Sequence, residues 1–198
     1  FTMKKLIDKR IIKTLVIVFV LGFIGGILFL ILTNKLDKLI IKNEIEEYFN
    51  LFKDNKIVGL DNLINSFKNN ITYITIILVS NIVFVLCPLT YFVNFYKGFL
   101  IGFLMSSIIL TFKFKGIFYS LLVLIPHQLI MNLLIIIYSS IMIKFAFKLF
   151  NAYKNKENIN IRLFTEKILI LFMGALFITL ISSILEIYLN SIIMRLVI

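Results

Sequence analysis

Few side chains in this sequence are able to do chemistry, and several of them interrupt long apolar runs. His127 and Gln128 follow Pro126 within 116–143, an uncharged run of 28 residues. A polar group at that depth in a bilayer is costly unless it has a partner. Two interpretations stay open: a hydrogen-bonded kink at Pro126, whose ring disturbs the preceding turn, or a polar lining in a cavity or pathway.

Glu186 is the one carboxylate embedded in an apolar run, with Ser182, Ser183 and Asn190 near it in sequence. An isolated buried carboxylate is neutralised or paired. Glu186 therefore has three interpretations: a structural pairing in a bundle, a position near the outer membrane surface, or proton or ion coupling. Lys97 stands alone between two apolar runs, and we predict that it is an interfacial anchor in a turn.

The sequence contains no arrangement that indicates catalysis or cofactor binding. It has no nucleotide-binding glycine-rich loop, no Ser/His/Asp pattern, one histidine and one cysteine, Cys87. A structural or catalytic zinc site takes three or four protein ligands, so metal binding is disfavoured. We expect no enzyme activity, no catalytic residues, no metal and no cofactor. The formal charge of +11 does not indicate nucleic acid, because the lysines lie between apolar runs.

Composition places the chain in a lipid bilayer. It is 61% hydrophobic and 16% charged, with a mean hydropathy of +1.03, whereas soluble domains are about 45–50% apolar and about 25% charged. About 18 or more uncharged apolar residues are typical of a spanning helix. We therefore predict an all-α, polytopic helical membrane bundle with about five transmembrane helices. The predicted segments are a tail at 1–13 (with 1–2 a cloning remnant), spans at 14–32, 71–96, 98–112, 116–143 and 168–194, an outer amphipathic segment at 33–70 and a basic loop at 144–167.

The positive charges predict the orientation of these spans. With five spans, 12 of the 21 Lys and Arg residues fall on the side of the N-terminus and nine on the other, and six of the ten acidic residues lie in 33–70. The positive-inside bias puts the N-terminus in the cytoplasm and the C-terminus outside the cell membrane. The run 98–112 is short for a span and 116–143 is long, so we expect a short third helix and a fourth helix that is kinked or broken at Pro126.

Glycines predict where helices approach each other. Gly22 and Gly26 form one small-xxx-small pair, Gly98 and Gly102 form another, and Gly116 opens the fourth span. In lipid such pairs let helix backbones pack closely. Whether they pack within one chain or across a homodimer is left open.

An apolar stripe leads into the second span. Its members recur at helical spacing: Leu60, Leu63, Ile64 and Phe67. This stripe either docks a partner near the outer leaflet or caps the bundle, and we take it as the candidate partner surface.

Three elements together resemble a known family: Phe-Tyr-Lys-Gly-Phe-Leu-Ile-Gly-Phe at 95–103, Lys-Gly-Ile-Phe at 115–118 and Leu-Ile-Pro-His-Gln-Leu at 124–129. With Ser-Ile-Leu-Glu at 183–186, they are similar to stage II sporulation protein M, a five-span family of endospore-forming bacteria. The resemblance implies a non-enzymatic scaffold in the mother-cell or septal membrane during engulfment. It implies that the chain holds two cell-wall-remodelling partners, stage II sporulation proteins D and P.

The residues also allow a second class, a transporter or permease-like subunit. Discontinuous helices with polar groups at mid-depth form binding sites in transporters, and a span broken at Pro126 would provide one. Against this class, the sequence shows no inverted repeat.

Overall fold

The computed structural model describes residues 8–53, 60–156 and 161–197, and these residues are almost entirely helical. The helices are α1 (Lys9–Leu32), α2 (Lys35–Lys53), α3 (Leu60–Ile82), α4 (Pro88–Phe112), α5 (Phe114–Lys154) and α6 (Ile161–Val197), with a 3₁₀ turn at Phe84–Leu86 between α3 and α4. The all-α prediction is confirmed, and no strand occurs in the described ranges. The predicted tail up to residue 7 lies outside the described residues.

Four of these helices contain a segment long and apolar enough to cross a membrane. The segments are Lys9–Leu32, Phe84–Phe112, His127–Lys154 and Arg162–Asn190. Helix α3 is not among them, because its first half carries polar and charged residues. A multi-pass membrane protein is therefore confirmed by length and composition, whereas the count of five spans is not.

The predicted boundary between the second and third spans at Lys97 is wrong. Lys97 lies inside α4, a single helix of 25 residues, and the chain instead breaks at residues 83–87, within the predicted second span. Pro88 explains the position of the break, since it has no N–H to donate and therefore suits the first turn of a helix. A charge between apolar runs indicates a turn because a charge in lipid is costly, but in this bundle Lys97 is buried against partners that offset the cost.

Helix α5 is not broken at Pro126. Its 41 residues form one continuous helix through that position, and the predicted kink is not confirmed. A helix of this length measures about 60 Å, which is about twice the hydrocarbon thickness of a bilayer. Its last turns, together with the first turns of α6, make helical most of the predicted basic loop at 144–167.

The turn between α4 and α5 is tight and depends on a close approach. Lys113 adopts a positive φ of 54°, so α5 begins immediately beside the end of α4. A Cβ at Gly116 would lie 2.6 Å from the Ile108 carbonyl oxygen and 2.7 Å from the Ile109 Cα. Only glycine allows α5 to start at this distance from α4.

The core is formed mainly where α3, α4, α5 and α6 meet. Its buried members share an apolar or aromatic side chain: Ile74, Ile77, Val93, Met131, Ile135, Tyr138, Ile141, Met142, Phe145 and Ala175. A second cluster joins α2 to the other end of the bundle, where Ile45 and Phe49 pack on Ile108 and Leu124. One face of α2 thus caps the bundle.

Candidate functional site

Helices α1 and α4 cross through the two glycine pairs. A Cβ at Gly22 would overlap the carbonyl oxygen of Phe95, and one at Gly98 would overlap that of Phe19. Gly26 and Gly102 repeat this relation one turn further along, against Phe99 and Phe23 respectively. The two motifs therefore face each other within one chain, with backbone directly on backbone.

The same contacts show that α1 and α4 run parallel, because residue numbers rise together along both helices. Lys97 is consequently level with the stretch of α1 from Phe19 to Gly26. That stretch is the centre of the charge-free run Thr14–Leu32. Lys97 thus lies near the middle of the apolar layer, not at its edge.

Lys97 is nevertheless shielded from lipid by the bundle. Only 5% of its surface is exposed, and its ammonium lies 4.5 Å from the ring centre of Tyr73 on α3. A cation over an aromatic face gains about 2 kcal/mol or more when the pair is desolvated. Glu186 on α6 lies within electrostatic range of the same ammonium and supplies an opposite charge.

Glu186 binds α3 directly. The Ser66 hydroxyl donates a 2.6 Å hydrogen bond to its carboxylate, and one turn further along α3 the Asn70 amide donates to Ser183 at 3.2 Å. Tyr48 of α2 lies within electrostatic range of the carboxylate: burial of the phenol, and then the charge of Glu186, raise the pKa of Tyr48 above its ordinary value. Of the three interpretations of Glu186, structural pairing is the one with contacts in the structure.

The two polar residues after Pro126 occupy different environments. His127 is buried, and its backbone carbonyl accepts a 3.2 Å hydrogen bond from Ser182 on α6. Gln128 is half-buried, and its Oε1 has no hydrogen-bond partner in the described part of the chain. The structure thus connects His127 to α6 through the backbone.

A second polar network closes the turn between α3 and α4. The Asn81 amide donates to the Thr90 hydroxyl at 2.6 Å, and the Ser80 hydroxyl lies 2.9 Å from the same oxygen. One turn later, Asn94 donates at 2.9 Å to Ser139 of α5. The bonds to Thr90 join α3 to the antiparallel helix α4, and the Asn94 bond joins α4 to α5. Interhelical hydrogen bonds of this kind stabilise helix association in lipid.

A comparison against known families finds a match over most of the chain. A model of the family described as Stage II sporulation protein M matches residues 15–190. The chain belongs to the stage II sporulation protein M family. No curated protein and no solved structure matches it.

In this stage II sporulation protein M relative, the predicted partner surface divides into two faces. Leu60 and Ile64 are 76% and 45% exposed, whereas Leu63 and Phe67 are half-buried against the bundle. Tyr73 marks mid-depth through its contact with Lys97, and Leu60 lies 13 positions away, or about 20 Å along the helix. This distance exceeds the half-thickness of a bilayer's hydrocarbon layer, which is about 15 Å.

The α3 residues that contact Lys97, Ser183 and Glu186 were not predicted, although the sequence contains a pattern that indicates them. Ser66, Asn70 and Tyr73 recur at i, i+4 and i+7, which places them on one helical face. A polar stripe on a helix that enters a membrane indicates contact with other polar groups. In the described ranges, no group of three or more His, Cys, Asp or Glu side chains is arranged to hold a metal ion.

Proposed function

We propose that this chain is a non-enzymatic membrane scaffold that holds cell-wall-remodelling partners at the engulfing membrane during endospore formation. Membership of the stage II sporulation protein M family carries this proposal. The partners that the family implies are stage II sporulation proteins D and P. The polar contacts support it too, since Lys97, Glu186 and the Asn81 network all join helices of the bundle to each other.

The proposal includes five membrane crossings, with α3 as the second. Helices α1 and α4 both contain a candidate span and run parallel, so the chain between them must return through the same layer. Helix α3 is antiparallel to α4, because Ser80 lies beside Thr90 and Tyr73 beside Lys97. Its 23 residues reach about 34 Å, enough to cross a layer of about 30 Å.

Five crossings and a cytoplasmic N-terminus direct the start of α3 and the whole of α2 outwards. Remodelling partners that act on the cell wall also work on that side. The exposed pair Leu60 and Ile64 therefore supplies the apolar surface that best fits a partner. The alternative, a transport subunit, relied on a broken fourth span, and the continuity of α5 removes that support.

The test compares substitutions at two pairs of exposed aliphatic side chains, one pair on α3 and one on α2. Leu60→Ser with Ile64→Ser removes the α3 surface, and Leu36→Ser with Leu39→Ser is the matched control on α2, where those side chains are 76% and 57% exposed. A fully buried apolar side chain contributes about 1.5–3 kcal/mol, so we expect partner affinity to fall at least tenfold for the α3 pair.

The measurements are co-purification of stage II sporulation proteins D and P from detergent and engulfment in sporulating cells, at equal membrane levels of each variant. The α3 variant should lose both while the α2 control keeps them. If the unmodified protein recovers neither partner, the scaffold proposal is wrong. If both variants behave like the unmodified protein, the partner surface lies elsewhere.

A further inference from the structure

We propose that the groove between α3 and α4 binds the transmembrane helix of another protein, one that carries an amide or carboxylate side chain near its middle. This inference rests on the proposed scaffold function and assigns it a second surface, inside the membrane. None of the groove's lining residues belongs to the Leu60 and Ile64 surface, which lies at the start of α3.

The groove is large and faces away from the bundle. Its volume is about 620 Å³, within the range of about 300–1,000 Å³ that is usual for ligand sites. Apolar side chains line most of it, and Phe92 and Tyr96 on α4 are 60% and 43% exposed, with their rings stacked on each other at 6.4 Å. These aromatic faces offer contact area to an occupant.

With α3 crossing the membrane as proposed above, the groove also contains polar groups at a depth where lipid cannot satisfy them. Asn69 and Thr72 line it, and both are exposed. Asn69 precedes Tyr73 by one turn, so it lies about 6 Å from mid-depth. The Thr72 hydroxyl is satisfied by the Lys68 carbonyl at 2.8 Å, but the described part of the chain offers the Asn69 amide no hydrogen-bond partner.

An unpartnered amide within the apolar layer selects the kind of occupant. An acyl chain offers it neither donor nor acceptor, whereas a polar side chain on a neighbouring helix forms the interhelical bond that stabilises association in membranes. A second copy fits poorly, because a two-fold interface must be self-complementary. Two facing grooves would leave the space between them unfilled.

Electrostatics selects an acceptor on the incoming helix. Tyr73 forms part of the groove wall, and the ammonium of Lys97 lies 4.5 Å from its ring centre. The ammonium, which also lies within electrostatic range of Glu186, is thus one aromatic ring away from the occupant. A carbonyl or carboxylate oxygen that accepts from Asn69 is also attracted by this charge, which gives the groove a preference among polar helices.

The test uses the full-length protein in phosphatidylcholine vesicles and two synthetic transmembrane peptides. One is a polyleucine helix with a single central Asn, and the other has Leu at that position. The Cys87→Ser protein is labelled at Asn155→Cys with an acceptor dye, and binding of donor-labelled peptide is followed by energy transfer. A transmembrane hydrogen bond corresponds to a preference of about 3- to 20-fold, which we expect for the Asn peptide.

Variants connect that preference to the groove. Asn69→Leu should lower binding of the Asn peptide to that of the Leu peptide. Thr75→Leu is the matched control, since Thr75 is exposed on the same helix outside the groove lining, and it should leave the preference intact. Leu89→Trp should fill the groove and weaken both peptides.

Three results would overturn the assignment. They are equal binding of the two peptides, a preference that survives Asn69→Leu, and energy transfer between protein copies that Asn69→Leu abolishes, which would give the groove to a second copy. Co-purification separates this failure from failure of the scaffold. If partners are recovered equally with Asn69→Leu and with the unmodified protein, the scaffold stands and the groove assignment falls.

Discussion

The crossing of α1 and α4 predicts that a single methyl group at Gly98 destabilises the protein. A Cβ there would overlap the Phe19 carbonyl oxygen and lie 3.0 Å from its carbonyl carbon and 3.1 Å from the Phe23 nitrogen. All three atoms belong to backbone, so no rotamer change relieves the overlap and the helices must separate. Overpacking of a tight site costs about 1–3 kcal/mol.

Two glycines serve as controls for Gly98→Ala. A Cβ at Gly174 meets nothing within 4 Å, and one at Gly25 meets only aromatic ring atoms at 3.8 Å, an ordinary contact. Alanine gains up to about 1 kcal/mol of helix propensity over glycine at each position. Subtracting the change in unfolding free energy of Gly174→Ala from that of Gly98→Ala removes this gain. What remains is the cost of the overlap, which shifts the equilibrium towards the unfolded state by roughly 5- to 150-fold.

The assay is SDS titration of protein in dodecyl maltoside micelles. Unfolding is followed by energy transfer between dyes at Leu32→Cys and Phe114→Cys, both highly exposed, in a Cys87→Ser background. Gly98→Ala should unfold at lower SDS than either control. Identical midpoints for Gly98→Ala and Gly174→Ala, with unchanged energy transfer before unfolding, would refute the close crossing.

Three further predictions follow from the contacts above. An impermeant thiol reagent should label Asn43→Cys in intact cells and leave Asn155→Cys unlabelled, and the opposite pattern would reverse the orientation. Lys97→Met and Glu186→Gln should be coupled in a double-mutant cycle of SDS unfolding by about 0.5–3 kcal/mol; additive effects would show that the two charges do not interact. Thr90→Val should cost about 1–3 kcal/mol, because the buried Asn81 amide loses an acceptor and the buried Ser80 hydroxyl loses a hydrogen-bond partner, while Thr90→Ser should recover most of that loss.

Local sequence patterns predicted the features that depend on a single helix, such as its length and the face on which it packs. Apolar length indicated membrane-crossing helices, since hydrocarbon thickness sets the length required. Glycine spacing indicated a face for close packing, because residues four apart share one face of a helix. Which helix receives that face is a different question, and nothing near Gly22 in the sequence points to Gly98.

Lys97 shows why the remainder could not be predicted. A charge between two apolar runs indicates a turn at the membrane surface, as the cost of burying it is large. That cost is offset by Tyr73 and Glu186, which lie 24 positions before it and 89 positions after it. The same holds for Pro88, whose role as the first residue of α4 depends on the network between Asn81 and Thr90. Contacts of this range follow from the packed bundle and not from local spacing.

The parallel glycine crossing has a consequence for how the protein is made. Gly98 follows Gly22 by 76 positions, so at roughly 5–20 residues per second the ribosome needs roughly 4–15 s to supply the second motif after the first. During that interval α1 is already in the bilayer with its glycine face open to lipid or to any other helix that has a small-residue face. Assembly of the bundle is therefore timed by synthesis of α4, and a slower ribosome would lengthen the period in which α1 is free to pair with the wrong helix.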